Sequence, residues 1–142
     1  CLVGSEMCIR DRVISVYGEA LLRVNEIDKG LEYLEKAYEL DPIPQGQTTG
    51  DRRLAALFYG YYLKNDFEKC QLLNNDVVNI DPKTWLLNYH LHQINNTDCT
   101  KDNWFISGKR EFENLDWKME IDRFHLNDDN LNKNLLAAVE TI

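Results

Sequence analysis

A helix–turn–helix pattern that ends in Asp-Pro occurs twice along this chain. The first copy spans Gly18 to Pro42 and ends in Leu40-Asp41-Pro42, and the ending returns as Asn79-Ile80-Asp81-Pro82. A hairpin of two amphipathic helices cannot bury its apolar face alone, so it must stack on a neighbour. The duplication therefore predicts an all-α fold of stacked antiparallel hairpins, and it favours a binding scaffold over a catalyst.

In the first copy, apolar residues recur at steps of three and four, which is the spacing of one helix face. Two helices are predicted, over 13–25 and 28–40, separated by a short turn at Asn25-Glu26-Ile27-Asp28. The second helix ends at Asp41-Pro42, because proline disfavours helical geometry in the residue before it. The apolar stripe of this helix is Ile27, Leu31, Leu34, Ala37 and Tyr38.

A polar, turn-rich segment, Pro44–Gly50, separates the first copy from the second. The apolar spacing then predicts a helix over 51–64, a turn at Asn65-Asp66 and a partner helix from Phe67 to Ile80. A further helix is predicted over 83–94, with Trp85, Leu86, Tyr89 and Ile94 as its apolar residues.

The remaining residues, 95–142, read as a less regular extension. Asn95–Gly108 is expected to be a polar loop. Apolar and charged residues alternate from Leu115 to Asp122, which predicts a short strand, although Phe112, Leu115 and Met119 also fit helical steps. Asn127-Asp128-Asp129-Asn130 can cap a helix, and an amphipathic helix is predicted from Leu131 to Ile142.

The first twelve residues resemble the conceptual translation of a sequencing adapter. Such a segment is set aside from fold reasoning, as a processing scar would be. We therefore expect a non-native segment at 1–12, helical repeats at 13–94 and the extension at 95–142. The native chain is expected to begin near Val13 as part of something longer, and the last helix has no stop signal, so we expect truncation there as well.

The first hairpin resembles a tetratricopeptide repeat. Gly18 and Gly30 stand where that family has small residues at the helix crossing, Leu34 and Ala37 match its large and small positions, and Pro42 closes the unit. Small side chains allow close helix contact and large ones fill the grooves.

The second hairpin matches the same family less closely. Cys70, Val77 and Pro82 match, but Phe58 stands where glycine is usual, with Gly60 two residues later, and Asn74 replaces the large apolar residue. The two prolines are 40 residues apart, against a repeat of about 34, and Pro44–Gly50 accounts for the excess.

The resemblance implies a concave groove, lined by the first helices, that binds a peptide or a partner helix. It places eight residues on that groove: Ser15, Glu19, Leu22 and Arg23 from the first copy, and Ala55, Tyr59, Tyr62 and Leu63 from the second. Tyrosines offer rigid apolar area with a polar tip; the alternative is that they cover the next repeat or are simply exposed. The residues that clamp a terminal carboxylate in chaperone-binding members are absent, and Glu19 would repel such a ligand.

The charge, the hydropathy and the cysteine content of the chain limit which partners and which compartment are expected. A net charge of −8 disfavours nucleic acid, and no apolar run reaches the roughly 18 residues of a membrane span. Cys70 and Cys99 lack metal or disulfide spacing, and Cys70 is expected to pack as a small apolar residue. We therefore expect a protein or peptide partner, no membrane association and a reducing, cytoplasmic location.

No pattern in the chain predicts catalysis, a cofactor or a metal site. His90 and His92 are two residues apart on one predicted helix, so they point to different sides and are expected at the surface. His125 near Asp128 does not define a site. Neither a phosphate-cradling glycine loop nor a nucleophile elbow is present in the sequence.

An alternative function rests on the C-terminal residues. Leu115-Asp116, the apolar residues Phe124 and Leu126, and Leu131–Leu136 resemble the entry into an iron- and 2-oxoglutarate-dependent oxygenase domain that follows tetratricopeptide repeats in some proteins. That family's iron ligands would lie beyond Ile142. On this alternative the chain is the non-catalytic lead-in of a larger enzyme.

Enlarging the small residue of the second helix tests the predicted crossing. Ala37→Leu should overpack the hairpin and lower the free energy of unfolding by roughly 1–3 kcal/mol, measured by urea denaturation. Lys36→Leu, on the side of the same helix that is predicted to be exposed, is the control. An unchanged melting temperature for Ala37→Leu would contradict the predicted burial.

Overall fold

The computed structural model describes residues 6–42, 52–77, 81–124, 126 and 128–142, except for the side chains of 6–12, 52, 75 and 76. These residues form eight α-helices and no β-strand, which confirms the all-α prediction. In chain order they are α1 Glu6–Arg23, α2 Ile27–Leu40, α3 Arg52–Leu63, α4 Phe67–Val77, α5 Pro82–Ile94, α6 Asn103–Glu111, α7 Trp117–Arg123 and α8 Asp129–Glu140.

The ends of α1, α3 and α5 share one turn chemistry. Each is followed by an asparagine in the left-handed region, with φ of 65° at Asn25 and 55° at Asn65 and Asn96. Asparagine tolerates this conformation better than most residues. In each turn the next residue's amide bonds back to the helix, as Glu26 N does to Leu21 O at 2.9 Å, which is the Schellman pattern. The turn predicted at 65–66 is thus confirmed, whereas the one predicted at 25–28 is shorter than predicted, since α2 begins at Ile27.

Two glycines set the crossing of α1 and α2, as predicted. A Cβ atom added to Gly18 would lie 2.8 Å from Leu34 Cγ, and one added to Gly30 would lie 2.9 Å from the Gly18 carbonyl oxygen. Neither distance leaves room for a side chain. Ala37 is 1% exposed in the same contact layer. The first hairpin therefore depends on its small residues.

Gly60 lies where α3 of the second hairpin contacts α2 of the first, and not where α3 and α4 cross each other. A Cβ atom there would overlap the Leu31 side chain of α2. Within the second hairpin, Phe58 is fully buried, and the Cys70 thiol approaches the Phe58 carbonyl oxygen at 3.7 Å. Burial raises the pKa of Cys70 to about 12, so this thiol packs as a small apolar group.

α5 is buried on nearly every side. It contacts α3, α4, α6, α7 and α8, and eight of its residues are buried: Thr84, Trp85, Leu86, Leu87, Asn88, Tyr89, Leu91 and His92. Its one fully buried side-chain amide, that of Asn88, is paired. Asn88 Nδ2 donates to Asn74 Oδ1 at 2.6 Å, and Asn88 Oδ1 accepts from Gln71 Nε2 at 3.2 Å. The asparagine at position 74, an oddity in the repeat pattern, therefore completes a buried hydrogen-bonded pair.

An aromatic cluster joins α5 to the helices that follow it. The Trp85 ring stacks on Phe105 and Trp117 at centroid distances of 5.5 and 5.8 Å, and Tyr89, Trp104 and Phe112 lie within 6.4 Å. Trp85 Nε1 donates to the Trp104 carbonyl at 3.3 Å, which satisfies the one polar atom of the indole.

One prediction about the extension is wrong, and one choice that the sequence left open is resolved. Asn95–Gly108, predicted to be a loop, holds most of α6, because Trp104, Phe105 and Gly108 bury one helical face against α5. Leu115–Asp122, which fitted both a strand and helical steps, is helical: it forms most of α7, which Asp116 caps by accepting from Met119 N at 3.3 Å. Met119 is half exposed whereas Ile121 is buried, so the apparent alternation did not reflect one buried face.

The helix start predicted at 127–130 is confirmed, with Asp128 as the cap that accepts from Leu131 N at 3.1 Å. α8 packs on α5 and α7, and Tyr89 Oη lies 2.8 Å from Thr141 Oγ1. The segment that resembles an oxygenase entry thus forms α7 and α8 against α5. The predicted boundary at 94–95 falls at the end of a helix that both halves share.

α1 begins at Glu6, inside the segment that resembles an adapter, so Val13 is not a helix boundary; the origin of 1–12 stays a prediction. Residues 1–5, Pro44–Gly50, Ile80 and His125 lie outside the described residues. Among the described helices, none combines the length and apolar character needed to cross a membrane.

Adding a methyl group at Gly108 tests the aromatic cluster. A Cβ there would overlap the Trp85 indole, so Gly108→Ala should lower the free energy of unfolding by roughly 1–3 kcal/mol and alter tryptophan fluorescence. Ser107→Ala, at the exposed neighbouring position, is the control. Equal stability of the two variants would show that the indole does not sit against Gly108.

Candidate functional site

A cavity of about 390 Å³ opens between α1, α3 and the first turn of α5, with the chain after α7 at its edge. Ligand pockets in proteins fall in this size range. The lining residues are Glu19, Leu22, Arg23, Ala55, Ala56, Tyr59, Asp81, Lys83, Thr84, Leu87, Phe124 and Leu126. We call this cavity the α1–α3–α5 groove.

Five of the eight predicted groove residues meet here. Glu19, Leu22 and Arg23 come from α1, and Ala55 and Tyr59 come from α3. Their convergence follows from the side-by-side packing of α1, α2 and α3, in which Gly60 allows close approach.

The other three predicted residues do not line the groove. Ser15 is buried. Tyr62 is buried, with its hydroxyl 2.6 Å from His90 Nδ1. Leu63 is half-buried and packs against the core. All three lie on α1 or α3 but on faces turned into the bundle.

The third wall was missed by sequence reasoning. It consists of Asp81, Lys83, Thr84 and Leu87 from the start of α5, together with Phe124 and Leu126. Asp81 and Thr84 stand three residues apart at the helix start, so the cap was readable from the sequence. The contribution of Phe124 and Leu126 depends on how the later helices fold back, for which no local signal exists.

Lys83 is a half-buried cation of the groove. Its ammonium lies 4.3 Å from the Tyr59 ring centroid, a cation–π contact. Burial lowers the pKa of Lys83, while Asp81 and Glu19 raise it and Arg23 lowers it further. Burial likewise raises the pKa of Tyr59, with Asp128 adding to the effect. The groove therefore holds a cation that gains from a nearby negative group.

The charged residues of the groove differ in whether they already have a partner within the chain. Asp81 accepts from Thr84 N at 2.8 Å and from the Thr84 hydroxyl at 2.7 Å, so it is committed to capping α5. Glu19, Arg23 and Lys83 form no ion pair with another described residue. The site thus combines apolar walls with charges of both signs that remain available to a ligand.

The two histidines of α5 are not the pair of surface residues that was predicted. His92 is 6% exposed, stacks on Trp104 and lies 2.6 Å from Thr97 Oγ1 through Nδ1, and His90 is half-buried against Tyr62. The prediction was wrong for His92 because α4 and α6 cover that side of α5. Burial lowers the pKa of both rings, with Asp102 opposing the effect at His92.

Within the described part of the chain, no three His, Cys, Asp or Glu side chains come close enough together to hold a metal ion. Comparison of the chain with protein-family models, with curated proteins and with solved structures finds no match.

Acid should destabilise the fold through these histidines. The folded-state pKa values of both histidines lie below the ordinary 6.5, so the unfolded chain binds protons more tightly. The stability that the neutral rings contribute is therefore complete above about pH 6.5 and is lost as the pH falls through the folded-state pKa values. Chemical denaturation at about pH 7.5 and about pH 5.5, above most carboxylate titration, should show the loss.

The His90→Gln/His92→Gln variant should lose less stability over the same interval. An equal loss in the wild-type chain and in this variant would show that other groups carry the pH dependence.

Proposed function

We propose that this chain is a helical scaffold of the tetratricopeptide type that binds a peptide or partner helix in the α1–α3–α5 groove. The observation that carries the proposal is the convergence of Glu19, Leu22 and Arg23 with Ala55 and Tyr59 around one cavity. That arrangement is what a groove lined by the first helices of successive hairpins requires.

The groove chemistry favours an apolar anchor residue flanked by a polar or charged one. The half-buried side chains of Tyr59, Phe124 and Leu126 present apolar area, and Tyr59 offers it at low cost in side-chain entropy. Arg23, Lys83 and Glu19 at the same cavity supply charge for orientation rather than for most of the affinity. A cavity of about 390 Å³ accommodates one or two side chains of such a peptide.

We further infer a reducing compartment such as the cytoplasm. This rests on Cys70 and Cys99, which are both buried free thiols. Disulfides persist in oxidising compartments and are rare in reducing ones.

Peptides selected from a random 12-residue library against the intact chain, then measured by fluorescence anisotropy, test the proposal. Tyr59→Leu and Lys83→Met should each weaken binding about tenfold, since anchoring aromatic residues and desolvated charges dominate such interfaces. Circular dichroism would verify that both variants fold.

Tyr61→Leu is the matched control, because Tyr61 lies on the same helix but bonds to Glu35 of α2 instead of lining the groove. If Tyr59→Leu and Tyr61→Leu weaken binding of the selected peptides equally, or if neither substitution weakens it, the groove is not the binding site.

A further inference from the structure

α1 is apolar on two opposite faces. One face, with Ser15, Gly18 and Leu22, is buried against α2 and α3. The other carries exposed apolar residues at steps of three and four, Val13, Val16, Tyr17 and Ala20, and the exposed Val24 continues this spacing directly after the helix. A surface helix ordinarily turns polar residues to solvent on its outer side. Here Val16 and Val24 are 66% and 67% exposed.

α2 extends this surface. Tyr33 meets Tyr17 edge to face, with ring centroids 4.9 Å apart. Lys29 and Lys36 stand four residues before and three after Tyr33, so helical spacing places them on the same side of α2. By the same spacing, the exposed Glu32 lies beside both lysines, on the side away from Tyr33. Together, Val13, Val16, Tyr17, Ala20, Val24, Lys29, Tyr33 and Lys36 form what we call the outer face. None of them lines the α1–α3–α5 groove.

The opposite flank of α2 shows what covers such a hairpin. There α3 packs directly on α2, with Gly60 against Leu31, and Lys64 pairs with Asp28. Lys29 and Lys36, on the outer face, are exposed and form no ion pair with another described residue. One flank of the hairpin is thus closed by an apolar helix and a salt bridge, while the other presents apolar residues beside unpaired lysines.

We propose that the outer face docks an amphipathic helix of a partner protein, with its apolar stripe flanked by acidic residues. Ala20 lies among the larger valines and allows a helix to approach closely. The two lysines select for acid at the edge of the stripe. A second copy of this chain fits less well, since a two-fold pairing brings the same lysines of both copies together.

The test uses the full chain and two synthetic helical peptides. Both carry leucines at three- and four-residue spacing, and they differ only in whether glutamates or lysines flank the leucines. In fluorescence anisotropy, the glutamate peptide should bind about tenfold more tightly than the lysine peptide, since two exposed ion pairs supply an advantage of that order.

Substitutions on the outer face should follow the same logic. Val24→Asp should weaken binding of the glutamate peptide at least about tenfold. The double variant Lys29→Glu/Lys36→Glu should bind the lysine peptide more tightly than the glutamate peptide. These positions are exposed, so folding should be unaffected. Leu72→Asp on α4, at a position 81% exposed, is the matched control and should change nothing.

Three results would overturn the proposal. The first is equal or no binding of the two peptides, or binding that Val24→Asp leaves intact. The second is a dimer in sedimentation equilibrium that Val24→Asp dissociates, which would assign the face to a second copy. The third is binding to phosphatidylserine vesicles that Val24→Asp abolishes, which would assign it to a membrane surface.

Discussion

Burial of α5 is the constraint on which the rest of the described structure depends. Thirteen residues long, this helix contacts five others and has no continuous solvent-facing side. Most of its buried side-chain polar atoms are satisfied internally, by the Asn74–Asn88 pair, the Trp85–Trp104 bond and the His92–Thr97 contact, whereas His92 Nε2 has no hydrogen-bond partner among the described residues. Unpaired polar groups in this position would each cost free energy comparable to a lost hydrogen bond. Because α5 is shared, the two hairpins and the C-terminal helices form one packed unit around it.

The groove follows from the same arrangement. α1 and α3 lie side by side because Gly18, Gly30 and Gly60 allow close approach, and the start of α5 then closes the open end. Asp81 fixes that start through its cap on Thr84, which holds Lys83 beside Tyr59. A local feature of helix capping thus positions a half-buried cation of the candidate site.

Local pattern was enough to predict the two hairpins, their turns and their small-residue crossings. These depend on neighbouring residues: Gly18 with Gly30, Asn25 and Asn65 at the turns, and Asp128 as a cap. α6 was missed because its buried apolar side chains, Trp104 and Phe105, are few and lie among polar ones, and they pack against Trp85, which is distant in the sequence. The burial of His92 and the third wall of the groove were missed for the same reason. Burial by sequence-distant partners leaves no periodic signal in the buried segment itself.

Native-state hydrogen exchange tests the central position of α5 most directly. Amides that exchange only through global unfolding belong to the most deeply packed elements. The account predicts that the slowest amides lie in α5, around Leu86 to Leu91, with α1 and α7 exchanging earlier. Slower exchange in α1 and α2 than in α5 would contradict it, since the first hairpin would then be the stable core and α5 a later addition.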